Sequence, residues 1–139
     1  MPSFTATRRV EFRDTDAAGI MHFAAFFPMM ESVECEFLRH IGHSVIDRDA
    51  DGEFSWPRVN VQCEYRSAAQ FEDELTVTLS VARLGEKSVT YKFDIRNDDQ
   101  LVAEGQMTAV CCRLPTSDSG LQSMPIPADI AEKLKPFAS

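Results

Sequence analysis

Cations are scarce in this chain: Lys and Arg total 14 against 22 Asp and Glu, a formal net charge of -8. Nucleic acid and anionic membranes both recruit proteins through a basic face that displaces counterions, so this balance excludes both as general partners. Long apolar runs are missing as well. The longest, Ile20 to Met30, is interrupted by His22 and Pro28 and falls short of the roughly 20 residues that span a bilayer. No basic segment followed by an apolar core opens the sequence, which predicts a cytoplasmic protein. The four cysteines, Cys35, Cys63, Cys111 and Cys112, include no C-x-x-C pair, and the adjacent two would point to opposite faces of a strand. They read as buried thiols. What remains is the balance of an ordinary globular protein, 44% hydrophobic and 26% charged, in a length that suits one domain over 1–139.

The hydrophobic pattern changes period along the chain. Phe4, Ala6, Val10 and Phe12 share one parity, broken at Arg8, and predict a first strand from Phe4 to Arg13. Phe26, Met30, Val33, Phe37 and Ile41 then recur at steps of four, three, four and four. That is one stripe of a helix starting near residues 24–26 and stopped by Gly42, with Pro28 acceptable only in its first turn. The acids and Gly52 between His43 and Pro57 predict a solvated loop. Beyond it the period becomes two: Val59, Val61, Cys63 and Tyr65, then Leu75, Val77, Leu79 and Val81, then Val89, Tyr91, Phe93 and Ile95. Leu84–Lys87 and Asn97–Gln100 are short enough for hairpin turns, so the sheet is antiparallel. A last strand, Leu101 to Arg113, carries the small row Ala103, Gly105, Met107, Ala109 and Cys111, against which another element can pack closely. A short helix from Ala128 to Leu134 follows. One long helix cannot cover five strands. The expected fold is therefore α+β, a curved antiparallel sheet of about five strands wrapped around one central helix, with open apolar edges met by a second copy.

The junction between first strand and helix, Asp14 to Phe23, holds the residues suited to chemistry. Asp14 and Asp16 stand one residue apart, a flexible step follows at Ala17-Ala18-Gly19, and His22 leads into the helix. The free N–H groups of a helix start and a carboxylate converge at such a junction. Both acids serve equally well as turn and capping residues. A calcium loop fails, because Ala18 and Ala25 occupy its fifth and twelfth positions. A zinc or iron site of Asp14, Asp16 and His22 lacks a further ligand on the same element, so no metal and no cofactor are expected. No serine or cysteine nucleophile signature is present.

From Val10 to Ile41 the sequence resembles the 4-hydroxybenzoyl-CoA thioesterase family of hotdog-fold proteins, whose signature is an Asp-x-Asp-x-Ala-Gly turn, a short aromatic segment and a long central helix. The resemblance implies an acyl-CoA thioesterase acting on an acyl-CoA substrate, assembled as a homodimer or homotetramer. It implies that Asp16 is the catalytic acid and that the backbone N–H of Phe23 polarises the thioester carbonyl. It also implies that Glu31 is a further helix acid, and that Gly19, Lys87 and Ser88 contact substrate, with Lys87 at the coenzyme A phosphates. Phe12 and Phe23 occupy the positions of a Tyr and His found in one branch, so that triad does not carry over. His22 either lines the pocket or is a satisfied histidine, and Glu31 either enters the site semi-buried or forms a boundary ion pair. Asp16 acts as nucleophile or general base. A non-catalytic acyl-binding module with the same fold is the alternative.

Overall fold

Strict alternation of apolar and polar residues builds the main sheet, and the 3.6-residue stripe builds the helix that covers it. The strands of the computed structural model run β1 (Phe4–Arg9), β2 (Asp47–Asp49), β3 (Gly52–Ser55), β4 (Arg58–Tyr65), β5 (Glu74–Leu84), β6 (Ser88–Asn97), β7 (Gln100–Val110), β8 (Cys112–Arg113) and β9 (Gln122–Ser123). The helices are α1 (Phe26–His40) and α2 (Ala128–Leu134). Residues 2–138 are described, so the two ends of the expected 1–139 domain lie outside the described residues. Five strands pair antiparallel in the order β1-β5-β6-β7-β4, as the hairpin reading requires.

The core lies between this sheet and α1. Met30, Val33 and Phe37 on the helix are fully buried, as are Leu75, Val77 and Leu79 on β5 and Val89, Tyr91, Phe93 and Ile95 on β6. Burying one such side chain is worth about 1.5–3 kcal/mol, so this face dominates the energetics. The small row on β7 does what it was expected to do: a Cβ at Gly105 would overlap the Met30 sulfur, so glycine leaves the thioether its place and a larger residue would push it aside. Pro28 falls in the first turn of α1, and Gly42 closes the helix at φ +90° while the His43 N–H donates to the Leu38 carbonyl at 2.8 Å. All four cysteines are unpaired thiols.

Several expectations need correction. β1 stops at Arg9, four residues early, because the Val10 N–H turns to the Asp73 carbonyl and the chain enters a 3₁₀ turn at Phe12–Asp14. Phe12, read as a strand residue, is exposed. Arg8 breaks the apolar parity because its guanidinium crosses to α1, pairing with Glu36 at 2.8 Å and with the Ser32 hydroxyl at 3.0 Å. The expected loop at 43–57 is instead a hairpin of β2 and β3, which joins β8 and β9 in a second sheet ordered β2-β3-β8-β9. Buried Phe54 and Trp56, with Arg113 gripping Asp49 at 2.8 Å, hold it in place. The last strand breaks at Cys111, where the chain changes from one sheet to the other.

Parity on β4 is right but its burial is not. Val61, Cys63 and Tyr65 stand opposite Met107, Gly105 and Ala103, on the face that elsewhere packs under α1. β4 is the sheet edge, covered by α1 only in part, and Val59, Val61 and Tyr65 remain exposed.

Candidate active site

Between β1 and α1 the chain doubles back on itself. Thr15 bridges Met21, the Asp16 N–H donates to the Ile20 carbonyl at 3.1 Å, and the Gly19 N–H donates to the Asp16 carbonyl at 2.9 Å. Gly19 has φ +81°, the left-handed region that glycine adopts without a steric penalty, and it sits at the exposed loop tip. This loop separates the two acids by role. Asp14 turns back, its Oδ2 accepting from the Glu11 N–H at 2.9 Å and its carbonyl accepting from the His22 N–H at 2.7 Å. Asp16 points out of the loop. Its Oδ1 accepts from the Ala18 N–H at 2.9 Å, and its Oδ2 lies 3.2 Å from His22 Nδ1.

Those contacts set the charge of Asp16. The Ala18 N–H first, and the His22 ring second, hold its carboxyl below the usual carboxylate range, so it is ionised at neutral pH. The thiols behave oppositely. Burial pushes Cys111 up to about 12 and raises Cys35, Cys63 and Cys112, which leaves none of them a ready nucleophile.

Asp16 stands on two cavities. One, of about 410 Å³, is lined by Asp16 and Phe23 together with Ile20, Phe26, Tyr65 and Ala69 among others. Phe23 opens a 3₁₀ turn (Phe23–Ala25) that leads into α1, so its N–H has no acceptor within that turn. Its carbonyl accepts from the Tyr65 hydroxyl at 2.9 Å, which ties the start of the helix to the end of β4. The second cavity is an open groove of about 700 Å³ bounded by Asp16, His22, Ala24, Ala25 and Pro28. Asp16, His22 and Phe23 are thus brought together.

The other expected residues lie elsewhere. Glu31 is exposed, a boundary residue 3.7 Å from Arg58 and not semi-buried. Gly19 shapes the loop and lines neither cavity. Lys87 and Ser88 sit at the β5–β6 hairpin, at the opposite end of the sheet from Asp16. β1 meets β5 at Arg9–Glu74, and the 11 residues of β5 cover roughly 35 Å from there to the hairpin. Tyr65 and the Ala68–Ala69 segment escaped the sequence reading. Tyr65 is the aromatic end of an edge strand, and only its pairing with Phe23 gives it a place here. Among the described residues no three His, Cys, Asp or Glu side chains converge as a metal site.

The chain from residue 10 to 134 matches the family model described as the thioesterase-like superfamily. A 1,4-dihydroxy-2-naphthoyl-CoA hydrolase of Synechococcus sp. (strain CC9605) is 32% identical over 109 residues, covering 75% of this chain and 73% of that protein. The protein of that name from Synechocystis sp. (strain ATCC 27184 / PCC 6803 / Kazusa) is 28% identical over 117 residues, 83% of this chain and 85% of its own length. The fold is shared with the crystal structure of a 1,4-dihydroxy-2-naphthoyl-CoA thioesterase from Synechocystis, at TM-score 0.82, 24% identity and 96% coverage of both chains. The relatives so named differ from the 4-hydroxybenzoyl-CoA thioesterases that the opening motif resembles, and the likeness to those holds at the level of the superfamily. The chain therefore belongs to the thioesterase-like superfamily, as a thioester hydrolase of the hotdog fold.

Proposed function

We propose that the protein hydrolyses an aromatic acyl-CoA thioester to the free acid and coenzyme A, with Asp16 as the catalytic carboxylate and the Phe23 N–H as the oxyanion donor. The observation that carries this reading is that Asp16, held ionised, and the start of the 3₁₀ turn line one cavity. As the thioester carbonyl is attacked, its oxygen gains charge, and a fixed backbone donor there contributes typically about 3–4 kcal/mol to the transition state. Asp16 either attacks the carbonyl carbon, expelling the coenzyme A thiolate and leaving an anhydride for water to open, or takes the proton of an attacking water. His22, on Asp16 Oδ2, keeps the carboxylate oriented. The relatives named for a naphthoyl thioester favour a fused aromatic acyl group over 4-hydroxybenzoyl.

The working unit in this reading is at least a dimer. β4 is a sheet edge carrying exposed Val59, Val61 and Tyr65, a surface suited to antiparallel pairing with the same strand of a second copy. A two-fold axis across β4 sets the Tyr65 end of one copy beside the Arg58 end of the other. The hairpin with Lys87 and Ser88 shares that second end, since Ser88 pairs with Val110 and Arg58 with Ala109. Lys87 of one copy then serves the phosphates of a substrate whose thioester lies at Asp16 of the other. Unpaired thiols suit a reducing compartment, and we place the protein in the cytoplasm as one hotdog domain.

The experiment is a panel of aryl, short-chain and long-chain acyl-CoAs with free thiol as the readout, run beside Asp16→Asn. Rapid thiol release from the aryl members by the wild type alone is expected. Binding without release would make the protein an acyl-binding module. Single-turnover hydrolysis in ¹⁸O water tests for the anhydride route, since label in Asp16 arises only when water opens an anhydride at the Asp16 carbon.

A further inference from the structure

A second carboxylate, unused by that chemistry, lies under α1. Glu34 is fully buried on the apolar face of the helix, one turn from Met30 and from Phe37. Its Oε1 is ion-paired with Arg58 Nη2, while Oε2, Arg58 Nε and the Tyr91 hydroxyl are buried without a hydrogen-bond partner. Orphaned polar groups of this kind destabilise a core, so the cluster is a poor way merely to fill one. Burial raises the Glu34 carboxyl above its usual range although Arg58 pulls the other way.

What the pair achieves is to hold a guanidinium at a fixed place. Arg58 emerges into a cavity of about 430 Å³ lined by Phe27, Pro28, Glu31, Val61 and Met107. Its Nη1 lies 3.7 Å from Glu31, beyond hydrogen-bond distance, so that N–H is free to donate into the cavity. Pro28 also bounds the groove that contains Asp16 and His22, so the two spaces adjoin at the first turn of the helix. From Ala24 to Glu31 the rise is roughly 10 Å at about 1.5 Å per residue. An acyl group held at Asp16 and laid past Pro28 along this face of the helix would point toward Arg58.

We propose that Arg58, positioned by Glu34, is a specificity-determining residue that hydrogen-bonds a hydroxyl on an aromatic acyl group bound between Phe27, Val61 and Met107. The walls are apolar and suit rings. The local charges select a hydroxyl over a carboxylate: Glu34 already balances Arg58, and Glu31 adds a further negative charge. A hydroxyl accepts from Arg58 Nη1 and donates to Glu31, whereas a ring carboxylate would face net repulsion. This rests on the aryl-CoA reading above.

The test compares 4-hydroxy-2-naphthoyl-CoA with 2-naphthoyl-CoA on the wild type, on Arg58→Lys, and on the paired Glu34→Met/Arg58→Met. A site built to bond a hydroxyl rejects the analogue lacking it, so the wild type should favour the hydroxylated thioester about tenfold or more in kcat/KM. The paired variant should bring that ratio to within about twofold of one, with Arg58→Lys, which keeps the charge but loses the planar fork, in between. A purely structural role would lower both substrates together and leave the ratio where it was, and that result would overturn the proposal. Should the paired variant fail to fold, the ratio for Arg58→Lys decides alone. Wild-type turnover of both thioesters at one rate would overturn the role of Arg58 while leaving the aryl-CoA reading intact. A wild type active on other acyl-CoAs but on neither aryl thioester would sink both.

Discussion

Asp16 and Glu34 are two carboxylates at opposite extremes of the same helix-and-strand unit. Asp16 is held by short-range partners, the Ala18 N–H and His22, in a loop open to solvent, and its pKa is lowered. Glu34 is held by a long-range partner, Arg58, in the core, and burial raises its pKa. The difference shows two ways of fixing a charge. Local hydrogen bonds keep a carboxylate ionised and reachable, as a reacting group must be. A buried pair gives up reach and gains a fixed position, which suits a group that orients another.

Breaking the buried pair should have the largest effect. Arg58→Met leaves Glu34 unpaired in the core and should destabilise the fold by about 3–5 kcal/mol. Glu34→Met/Arg58→Met removes both charges and should recover most of that loss in urea melts. A double variant as unstable as the single one would mean that shape at this site, not charge, sets the cost.

Asp16→Asn comes next and should act mainly on rate. It keeps the Oδ1 acceptor for Ala18 but removes the nucleophile or base, so kcat should fall about a hundredfold or more at a nearly unchanged melting temperature. Activity that fell only in step with folded protein would return Asp16 to the status of a turn residue. Asp14→Ala, at the cap, should do the reverse, with about 1 kcal/mol lost in stability and little change in kcat.

Acidity sharpens the contrast through opposite signs. Asp16 is depressed in the folded state, so its contribution to stability is present above its unfolded pKa and lost as pH falls through its folded pKa. Glu34 is raised, so its contribution is fully present below its unfolded pKa and lost as pH rises through its folded pKa. Denaturation from acid to neutral pH should show Glu34→Gln flattening a downward slope and Asp16→Asn flattening an upward one. Under the same titration, kcat/KM of His22→Ala should lose activity at higher pH than wild type, because one of the bonds that lower Asp16 is gone.

The smallest effect is expected at Lys87. If it meets a coenzyme A phosphate, Lys87→Ala should raise KM for acyl-CoA several-fold and leave a truncated thioester without the nucleotide little affected. Equal losses on both substrates would remove the residue from the site. Sedimentation showing only a 15.6 kDa species would do so too, since Lys87 and Asp16 of one chain stand at opposite ends of the sheet.

What the sequence disclosed follows the range of the interactions. The stripe from Phe26 to Ile41, the two hairpins and the tail helix at Ala128–Leu134 are local patterns, and they stand where periodicity put them. The β2–β3 hairpin was hidden because its partners β8 and β9 come much later in the chain, and because its acids outnumber the two aromatic residues that anchor it. The Asp-x-Asp motif marked the junction, yet nothing local says that Asp14 caps while Asp16 stays open. That division comes from the fold-back of Thr15 onto Met21. Glu34 did leave a signal, a carboxylate one turn from Met30 and Phe37 on the buried stripe. Its meaning depended on Arg58, 24 residues away.

The contact of Met30 with Gly105 reaches beyond packing. In antiparallel sheets the pairing of neighbours can slip by two residues and still keep every side chain on its proper face. Such a slip of β7 would set Ala103 or Met107 beneath the Met30 sulfur instead of Gly105, and the thioether would have to swing aside for the helix to seat. Docking of α1 therefore serves as a gauge of alignment, favouring the register of the sheet that leaves Met30 its place over Gly105.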